Sequence, residues 1–271
     1  MGDTQRLPPI LRDKAYTMPS RFRVENLLRE ARRQSGLNQA NVPKVCVLDP
    51  DGDIVAGLLS NQSMREQETW ACYHTALYTF NLNSLDLGII RHVVGAPFAV
   101  LVAEELFASG CELLIHVTSA GQIVQREEPP FFVLVERAFR DEGTSYHYLP
   151  PTEYVSLAPD LLALFQRGLR GLQPPVYTGT TWTTDAPFRE TEDAIRIAEE
   201  RGILAVEMEV AGLYALGEAR GKPIVSFAHI TNRMGQTEGD FEKGADAGSR
   251  AALQLIGRAA GVWTQNRKNG F

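Results

Sequence analysis

Cysteine and histidine are scarce in this chain of 271 residues, and their spacing excludes the common zinc motifs. The three cysteines, Cys46, Cys72 and Cys111, are far apart and form no CxxC pair, and each lies in or beside an apolar segment. No HExxH motif occurs either. This pattern predicts buried free thiols in a reducing compartment and no metal site.

Long apolar runs and an excess of positive charge are also missing. No run approaches the roughly 18–20 apolar residues that a membrane helix needs, and the opening MGDTQRLPPI contains no apolar signal core. The formal net charge is −6, whereas binding to a phosphate backbone favours clustered lysine and arginine. We therefore expect a cytoplasmic protein that contacts neither a membrane nor a nucleic acid.

The chain does contain a regular alternation of strand and helix patterns. The pattern of residues 1–40 predicts a polar arm followed by an amphipathic helix. Ser20 is the expected N-cap of this helix, and Gly36 is expected to end it. Residues 41–271 alternate short strands such as PKVCVL with helices such as APFAVLVAEELFASG, without a linker or a repeat. This predicts one α/β domain with a largely parallel sheet covered on both faces. Ligands of such sheets bind at the carboxyl ends of strands.

The stretch KVCVLDPDGDIV has three carboxylates, Asp49, Asp51 and Asp53, directly after a predicted strand. A calcium loop of the EF-hand type starting at Asp49 would need glycine at its sixth position and glutamate at its twelfth. Those positions hold Ile54 and Ser60, which excludes this calcium site. A Pro-Asp-Gly turn and an altered phosphate loop remain as interpretations.

A second acidic pair, Glu207 and Glu209, flanks Met208 in VEMEVAG, where a predicted strand meets a helix. Alternation along an extended segment sends the two glutamates to one side and Met208 to the other. A buried carboxylate needs hydrogen-bond donors, and the vicinal hydroxyls of a ribose are suitable ones. The alternative is that the glutamates only stabilise the N-terminus of the helix through its dipole.

The segment VEMEVAG resembles the ribose-binding signature of the nucleoside phosphorylase family, in the branch that includes uridine phosphorylases. Four other stretches resemble family motifs in the family's order: AVLVAEELFASGCELLIHVTSAGQI, RDEGTSYHYLPP, TGTTWTTDAPFRET and HITNRMGQ. The resemblance begins at about Lys44 and continues to the C-terminus. It implies a single-domain fold with a central mixed, partly barrel-like sheet ringed by helices. It also implies pentosyl transfer from a nucleoside to inorganic phosphate, the co-substrate, with no metal or other cofactor.

The resemblance assigns the sugar side of the site to the acidic pair. Glu209 would hold the ribose hydroxyls and act in catalysis, and Met208 would pack on the face of the sugar. Glu207 would bind ribose as well, or orient the turn. The glycosidic bond would break through an oxocarbenium-like ribosyl cation, which the protein stabilises by positioning and electrostatics.

The base side would lie in the segment TGTTWTTDAPFRET. Phe188 would offer its aromatic face to the base, and Thr183, Thr184 and Asp185 would support that loop. The alternative for Phe188 is simple packing within the loop.

The last motif, HITNRMG, bears on the choice of base. Purine phosphorylases carry an aspartate that protonates the leaving base, and Asn232 stands at that position here. Asparagine donates no full proton, so the resemblance favours a pyrimidine, with Arg233 contacting a pyrimidine carbonyl and acting in catalysis. The alternative for Arg233 is a surface salt bridge.

The predicted phosphate site departs from the family pattern. The loop LDPDGDIV replaces a Gly-Asp-Pro loop, GAPF replaces a Gly-Gly-Pro-Ser turn, and His116 replaces an arginine. Carboxylates repel a phosphate dianion by about 1–4 kcal/mol for each pair of unit charges 4 Å apart. The groups that would still bind phosphate are His116, Ser119, Gly95 and Gly121, with Arg65 or Arg91 as the candidate arginine.

Three functions therefore stay open. The first is a pentosyltransferase that cleaves a uridine-like pyrimidine nucleoside with phosphate, using a rebuilt phosphate site. The second is a nucleosidase, in which water replaces phosphate. The third is a protein that binds a nucleoside or base without catalysis.

The resemblance also implies a homo-oligomer, a dimer or a hexamer built from dimers, in which a neighbouring subunit often completes the site. In uridine phosphorylases an N-terminal histidine has that role. This chain has no histidine before His74, so no N-terminal histidine is available for it.

Overall fold

The computed structural model describes residues 7–232, 243 and 245–268. Within these residues ten strands form one sheet: β1 (Val45–Asp49), β2 (Met64–Glu66), β3 (Tyr78–Leu82), β4 (Leu85–Arg91), β5 (Leu113–Gln122), β6 (Phe131–Asp141), β7 (Tyr154–Ser156), β8 (Val176–Thr184), β9 (Ala205–Glu207) and β10 (Ile224–Asn232). The helices of the same residues are α1 (Val24–Ser35), α2 (Asp53–Ser60), α3 (Ala96–Ala108), α4 (Pro159–Gly168), α5 (Glu192–Glu200), α6 (Val210–Arg220) and α7 (Ser249–Lys268). None of these helices is long and apolar enough to cross a membrane.

Five strands close into a barrel, and the rest of the sheet extends from it. Strand β5 pairs with β10, which pairs with β6, then β8, then β9, and β9 returns to β5. Strands β1, β4, β3 and β2 continue outward from β5, and β7 pairs with β6. The central mixed, partly barrel-like sheet with flanking helices is therefore confirmed. The narrower expectation of a largely parallel sheet is wrong, because β6, β8 and β9 run antiparallel to β5 and β10 in the closed barrel, and the β2–β3 and β3–β4 pairs are antiparallel.

The barrel brings the carboxyl ends of three neighbouring strands to one edge. Strands β1 and β10 both run parallel to β5. In this register Leu48 of β1 lies opposite His116 of β5, and Ser119 lies opposite His229 of β10. The loop after β1 therefore lies beside the end of β5, and this is the edge where ligands of α/β sheets bind.

The acidic loop continues directly into a helix that the sequence analysis did not predict. Helix α2 begins at Asp53, one residue after Gly52, and it buries Ile54, Val55 and Leu58. The Pro-Asp-Gly turn is present, but only as the three-residue connection between β1 and α2. The eight residues of α2 are too few to show a clear period, so the apolar run after Gly52 did not distinguish a helix from a strand.

The N-terminal helix is shorter at its start than predicted. Helix α1 begins at Val24 and has no side-chain N-cap, so the expectation that Ser20 caps it is wrong. It ends as expected at Gly36, which has a left-handed φ of 65°. The helix buries Leu28 and Ala31 against Ala71 of the following domain.

The three cysteines are free thiols. Cys46 and Cys111 are buried and Cys72 is half-buried. Burial raises the pKa of the Cys46 thiol well above its ordinary value, so this thiol stays protonated. The expectation of buried free thiols is confirmed for Cys46 and Cys111.

Two left-handed glycines allow a matched test of the acidic loop. Gly52 has a φ of 83°, and a Cβ added there would overlap the His92 ring, whereas a Cβ at Gly36 would meet nothing within 4 Å. A non-glycine residue in this conformation costs about 1–2 kcal/mol. We expect Gly36→Ala to lower the free energy of unfolding by about that amount and Gly52→Ala to lower it by clearly more. Urea denaturation of both variants measures this, and equal losses would show that the loop moves away from His92 without cost.

Candidate functional site

The carboxylate of Glu209 lies at the junction of three elements and is almost fully buried, with 1% of the residue exposed. Its Oε1 accepts the backbone N–H of Gly95, at 2.7 Å, from the start of α3. Its Oε2 accepts the hydroxyl of Thr118, at 3.3 Å, and lies 3.6 Å from Nε2 of His116. Because α3 presents its N-terminus here, the positive end of the helix dipole stabilises the negative charge of Glu209.

Glu207 hydrogen-bonds to the backbone of the turn that carries Glu209. One of its oxygens accepts the hydroxyls of Thr181 and Thr183 from β8, and the other accepts the backbone N–H groups of Glu209 and Val210. Burial raises the pKa of Glu207 to about 7, and the neighbouring Glu209 charge adds to this shift. Since four donors occupy its two oxygens, Glu207 orients the turn, one of the two roles that the resemblance implies.

The two glutamates lie on the buried side of the turn, as alternation predicts. Met208, between them, is only half-buried. Its predicted contact with the sugar face stays a prediction.

The predicted phosphate donors contact carboxylates of the chain itself. The Gly95 N–H donates to Glu209, and His116 lies beside the same carboxylate. The backbone N–H of Ser119 donates to Oδ2 of Asp51 at 2.9 Å. Gly121 lies inside β5, where it pairs with Val206 of β9 and with β10.

The two candidate arginines lie on different parts of the sheet. Arg65 is on the outermost strand, β2, and its Nε donates to the hydroxyl of Thr79 at 3.4 Å. Arg91 ends β4 opposite Asp49, at the same edge as the acidic loop. Of the two, only Arg91 is near this loop.

The acidic loop is held by its own backbone and by one lysine. Asp49 is buried and accepts the N–H groups of Gly52 at 3.1 Å and Val55 at 2.9 Å. Burial raises the pKa of Asp49 to about 7 despite these two bonds. The ammonium of Lys243 binds Asp53 and lies 3.4 Å from Asp51, so it compensates the charge of both.

A small cavity separates this loop from the barrel. Its volume is about 10 Å³, which is close to the space that one water molecule requires. Its polar lining consists of Asp49, Asp51, Asp53, Thr118, Ser119, His229 and Ser249. The hydroxyl of Thr118 also contacts Glu209, so the cavity lies one residue away from the buried carboxylate.

The His229 ring forms one wall of this cavity. It stacks on Phe132 with ring centroids 4.3 Å apart. Burial lowers the pKa of His229 to about 4, so the ring is neutral near pH 7. Among the described residues its Nε2 has no hydrogen-bond partner. A neutral imidazole nitrogen in this position is able to bind a water molecule as donor or acceptor.

The predicted base side joins two segments that the sequence analysis treated separately. The hydroxyl of Thr184 accepts the N–H of Ala186, and the carboxylate of Asp185 accepts the N–H of Gly143 at 2.8 Å. Gly143 belongs to the segment 140–151, RDEGTSYHYLPP, which resembles one of the family motifs. Phe188 is 99% exposed, so the alternative that it packs within its loop is wrong, while its stacking on a base stays a prediction.

The segment 140–151 is built around a buried arginine. The Arg140 guanidinium donates to the hydroxyls of Ser145 and Thr152 and to two backbone carbonyls of the segment. Burial lowers the pKa of Arg140 from its ordinary value. These bonds hold the segment in a compact arch beside the base-side loop.

Sequence reasoning missed Thr118, His229 and Lys243, and it could not follow the last motif to its end. Thr118 had a usable signal, because His116 and Thr118 are two residues apart on a strand and so share a face. Only the tertiary fold brings His229 to the cavity and Lys243 to Asp51 and Asp53. Asn232 ends β10, but its side chain and Arg233 lie outside the described residues.

Sequence comparison supports the family. The profile described as "Phosphorylase superfamily" matches residues 44–260. Guanosine phosphorylase of Halorubrum lacusprofundi is 27% identical over 164 residues, which cover 60% of this chain and 66% of that protein, just under two thirds. The DeoD-type purine nucleoside phosphorylase of Colwellia psychrerythraea is 24% identical over 159 residues, 58% of this chain and 68% of the other.

Solved structures share the fold at lower identity. A uridine phosphorylase of Vibrio fischeri superposes with a TM-score of 0.71 at 19% identity, over 84% of this chain and 99% of the other. The 5′-methylthioadenosine/S-adenosyl homocysteine nucleosidase of Campylobacter jejuni superposes with a TM-score of 0.67 at 16% identity, over 80% and 98%. The profile match over more than half of the chain, together with this fold, shows that the protein belongs to the phosphorylase superfamily.

Proposed function

We propose that the protein cleaves the N-glycosidic bond of a nucleoside and transfers the ribosyl group to water. One observation carries the choice of water: Ser119, one of the residues expected to bind phosphate, donates its backbone N–H to the carboxylate of Asp51. The chain thus supplies an anion of its own at the position of the nucleophile. The nearest alternative is the same cleavage with phosphate as the acceptor.

The sugar is held by Glu209 in this proposal. Each of its oxygens keeps acceptor capacity after binding Gly95 and Thr118, because a carboxylate has about four lone-pair sites. Two vicinal hydroxyls of a ribose match this remaining capacity. A negative carboxylate close to the ring also stabilises the positive charge that develops on the ribosyl group in the transition state.

The acceptor side favours a neutral nucleophile over an anion. A phosphate dianion beside Asp51 and Asp53 would meet repulsion of about 1–4 kcal/mol for each charge pair, and Lys243 already compensates both carboxylates. Water has no such cost, and the cavity that these residues line has room for about one molecule.

The bond changes follow from this arrangement. The water oxygen forms a bond to the anomeric carbon while the bond from that carbon to the base nitrogen breaks, and the electron pair of that bond leaves with the base. Asp51 accepts the proton that the water loses, and the departing base takes up a proton from the solvent. Asp49 keeps the loop in shape through its bonds to Gly52 and Val55. The products are the free base and free ribose, with no metal or other cofactor taking part.

Phosphorolysis is the second candidate, and the matched relatives favour it. Guanosine phosphorylase and the DeoD-type purine nucleoside phosphorylases are phosphorylases by name. In this candidate the phosphate would displace Asp51 from the Ser119 N–H and take Lys243 as its counter-ion. The pyrimidine base that Asn232 and Arg233 imply, with Phe188 on its face, stays part of either proposal.

An assay with and without phosphate separates the acceptors. The purified protein is incubated with uridine, guanosine and 5′-methylthioadenosine in phosphate-free buffer and in buffer with inorganic phosphate. We expect equal rates of base release in both, with free ribose or its 5′-methylthio derivative as the sugar product. Release that requires phosphate and yields a pentose 1-phosphate would overturn the choice of water. Binding of a nucleoside without any release would support a non-catalytic binder.

Replacing Glu209 tests the ribose site. Glu209→Gln removes the negative charge while preserving the size of the side chain, so we expect kcat for base release to fall about 100-fold or more. Glu218→Gln, at the exposed far end of the same helix, is the control and should keep the parent rate. Thermal melts verify that both variants fold, and an unchanged rate in Glu209→Gln would remove Glu209 from the site.

Replacing Asp51 tests the activation of water. Asp51→Asn removes the proton acceptor, and loss of a general base lowers the rate about 10²–10⁴-fold. Asp86→Asn is the matched control, because Asp86 is an exposed aspartate at the opposite end of β4 whose carboxylate accepts an N–H of Asn81 at 3.0 Å. If Asp51→Asn releases base at the parent rate, the water proposal loses its proton acceptor and phosphorolysis becomes the better candidate.

A further inference from the structure

The sequence resemblance assigns His116 to phosphate, but the structure surrounds it with protein. The residue is 0% exposed, and its Nε2 lies 3.6 Å from Oε2 of Glu209. Glu209 is therefore the group through which His116 is placed to act on the reaction.

The position of His116 follows from the alternation of strand β5. His116 and Thr118 are two residues apart, so their side chains leave the strand on the same face. Thr118 already donates to Oε2 of Glu209 at 3.3 Å, and His116 approaches the same oxygen. One face of β5 thus presents two side-chain donors to a single carboxylate oxygen.

The bonding of the two partners is complementary. Within the described residues, neither ring nitrogen of His116 has a hydrogen-bond partner at ordinary distance. His116 is also the one basic side chain that the described residues place within 4 Å of the Glu209 carboxylate. A buried carboxylate is stable only with donors close by, and a buried imidazole N–H needs an acceptor. A contraction of a few tenths of an ångström would give Nε2 an acceptor and Oε2 a second donor.

We propose that His116 is a positioning residue for Glu209, whose Nε2–H donates to Oε2 when the ribose hydroxyls bind. The proposal rests on the proposed role of Glu209 as the ribose ligand. The Gly95 bond fixes Oε1 but leaves the carboxylate free to turn about its last torsion. Two donors on Oε2 occupy its lone pairs and stop that rotation, so the remaining lone pair of Oε1 stays directed at the ribose hydroxyls.

A double-mutant cycle tests the coupling between the two side chains. His116→Phe keeps a ring of similar size without donors, and it is made alone and together with Glu209→Gln. Ser226→Ala is the control, because Ser226 is the buried cross-strand neighbour of His116 on β10 and its hydroxyl has no partner among the described residues. We expect His116→Phe to lower kcat about tenfold in the parent and less than about threefold in Glu209→Gln, as for residues in direct contact.

A structural role gives a different result. If His116 only fills space, its replacement lowers kcat by the same factor in both backgrounds, and this outcome would overturn the proposal. Ser226→Ala should leave kcat unchanged in both. His116→Gln keeps an N–H close to the position of Nε2, so we expect it to retain most of the activity that His116→Phe loses. Equal losses in His116→Phe and His116→Gln would also contradict the proposal. If His116→Phe does not fold, His116→Gln is the variant that is measured.

Binding separates a failure of this proposal from a failure of the proposed function. Calorimetry measures the affinity of the parent and His116→Phe for uridine and for uracil, the same base without the sugar. We expect weaker binding of uridine and unchanged binding of uracil, because only the sugar contacts Glu209. This holds even if the protein releases no base. Equal weakening of both ligands, or of neither, would show that His116 does not act through the ribose site.

Discussion

A single carboxylate, buried at the junction of β5, α3 and α6, is the constraint on which the site depends. Glu209 is 1% exposed and accepts the Gly95 N–H from the N-terminus of α3 and the Thr118 hydroxyl from β5. A buried carboxylate without such donors would cost much of the stability of the fold. The three elements therefore have to meet at one point, and the closed barrel is what brings them there.

Glu207 shows how the neighbouring carboxylate is used differently. Its oxygens are occupied by two threonine hydroxyls of β8 and by two backbone N–H groups at the start of α6. These bonds tie the turn to the barrel wall. The two glutamates look equivalent in VEMEVAG but have different contacts. Glu207 binds the backbone of the turn, and Glu209 retains acceptor sites that no described residue occupies.

The acidic loop after β1 also contains one carboxylate that binds the backbone of its own turn and another that contacts a neighbouring strand. Asp49 shapes the loop through backbone N–H groups, and Asp51 extends to the end of β5. Lys243, distant in sequence, balances the charge. The backbone N–H of Ser119 is occupied by Asp51, and this contact is the basis for proposing water as the acceptor.

The amino-acid pattern was sufficient for the regular parts of the fold. Helix α3 was predicted from a long, mostly apolar segment, and strand β5 from an apolar segment that is buried along most of its length. The family motifs supplied the mixed, barrel-like sheet. Helix α2 was missed because eight residues contain little periodic signal, and the start of α1 was misjudged because packing of Leu28 and Ala31, not a cap, defines that helix.

The sequence by itself determined where carboxylates are concentrated at the ends of strands, namely the pair Glu207 and Glu209 and the three aspartates of the loop after β1. Only the tertiary structure decided what each of them contacts. Hydrogen-bond partners are set by distances of about 3 Å between segments that lie far apart in the chain, and no local pattern encodes them. For that reason His116 moved from a predicted phosphate ligand to a neighbour of Glu209, and Asp51 became the partner of Ser119.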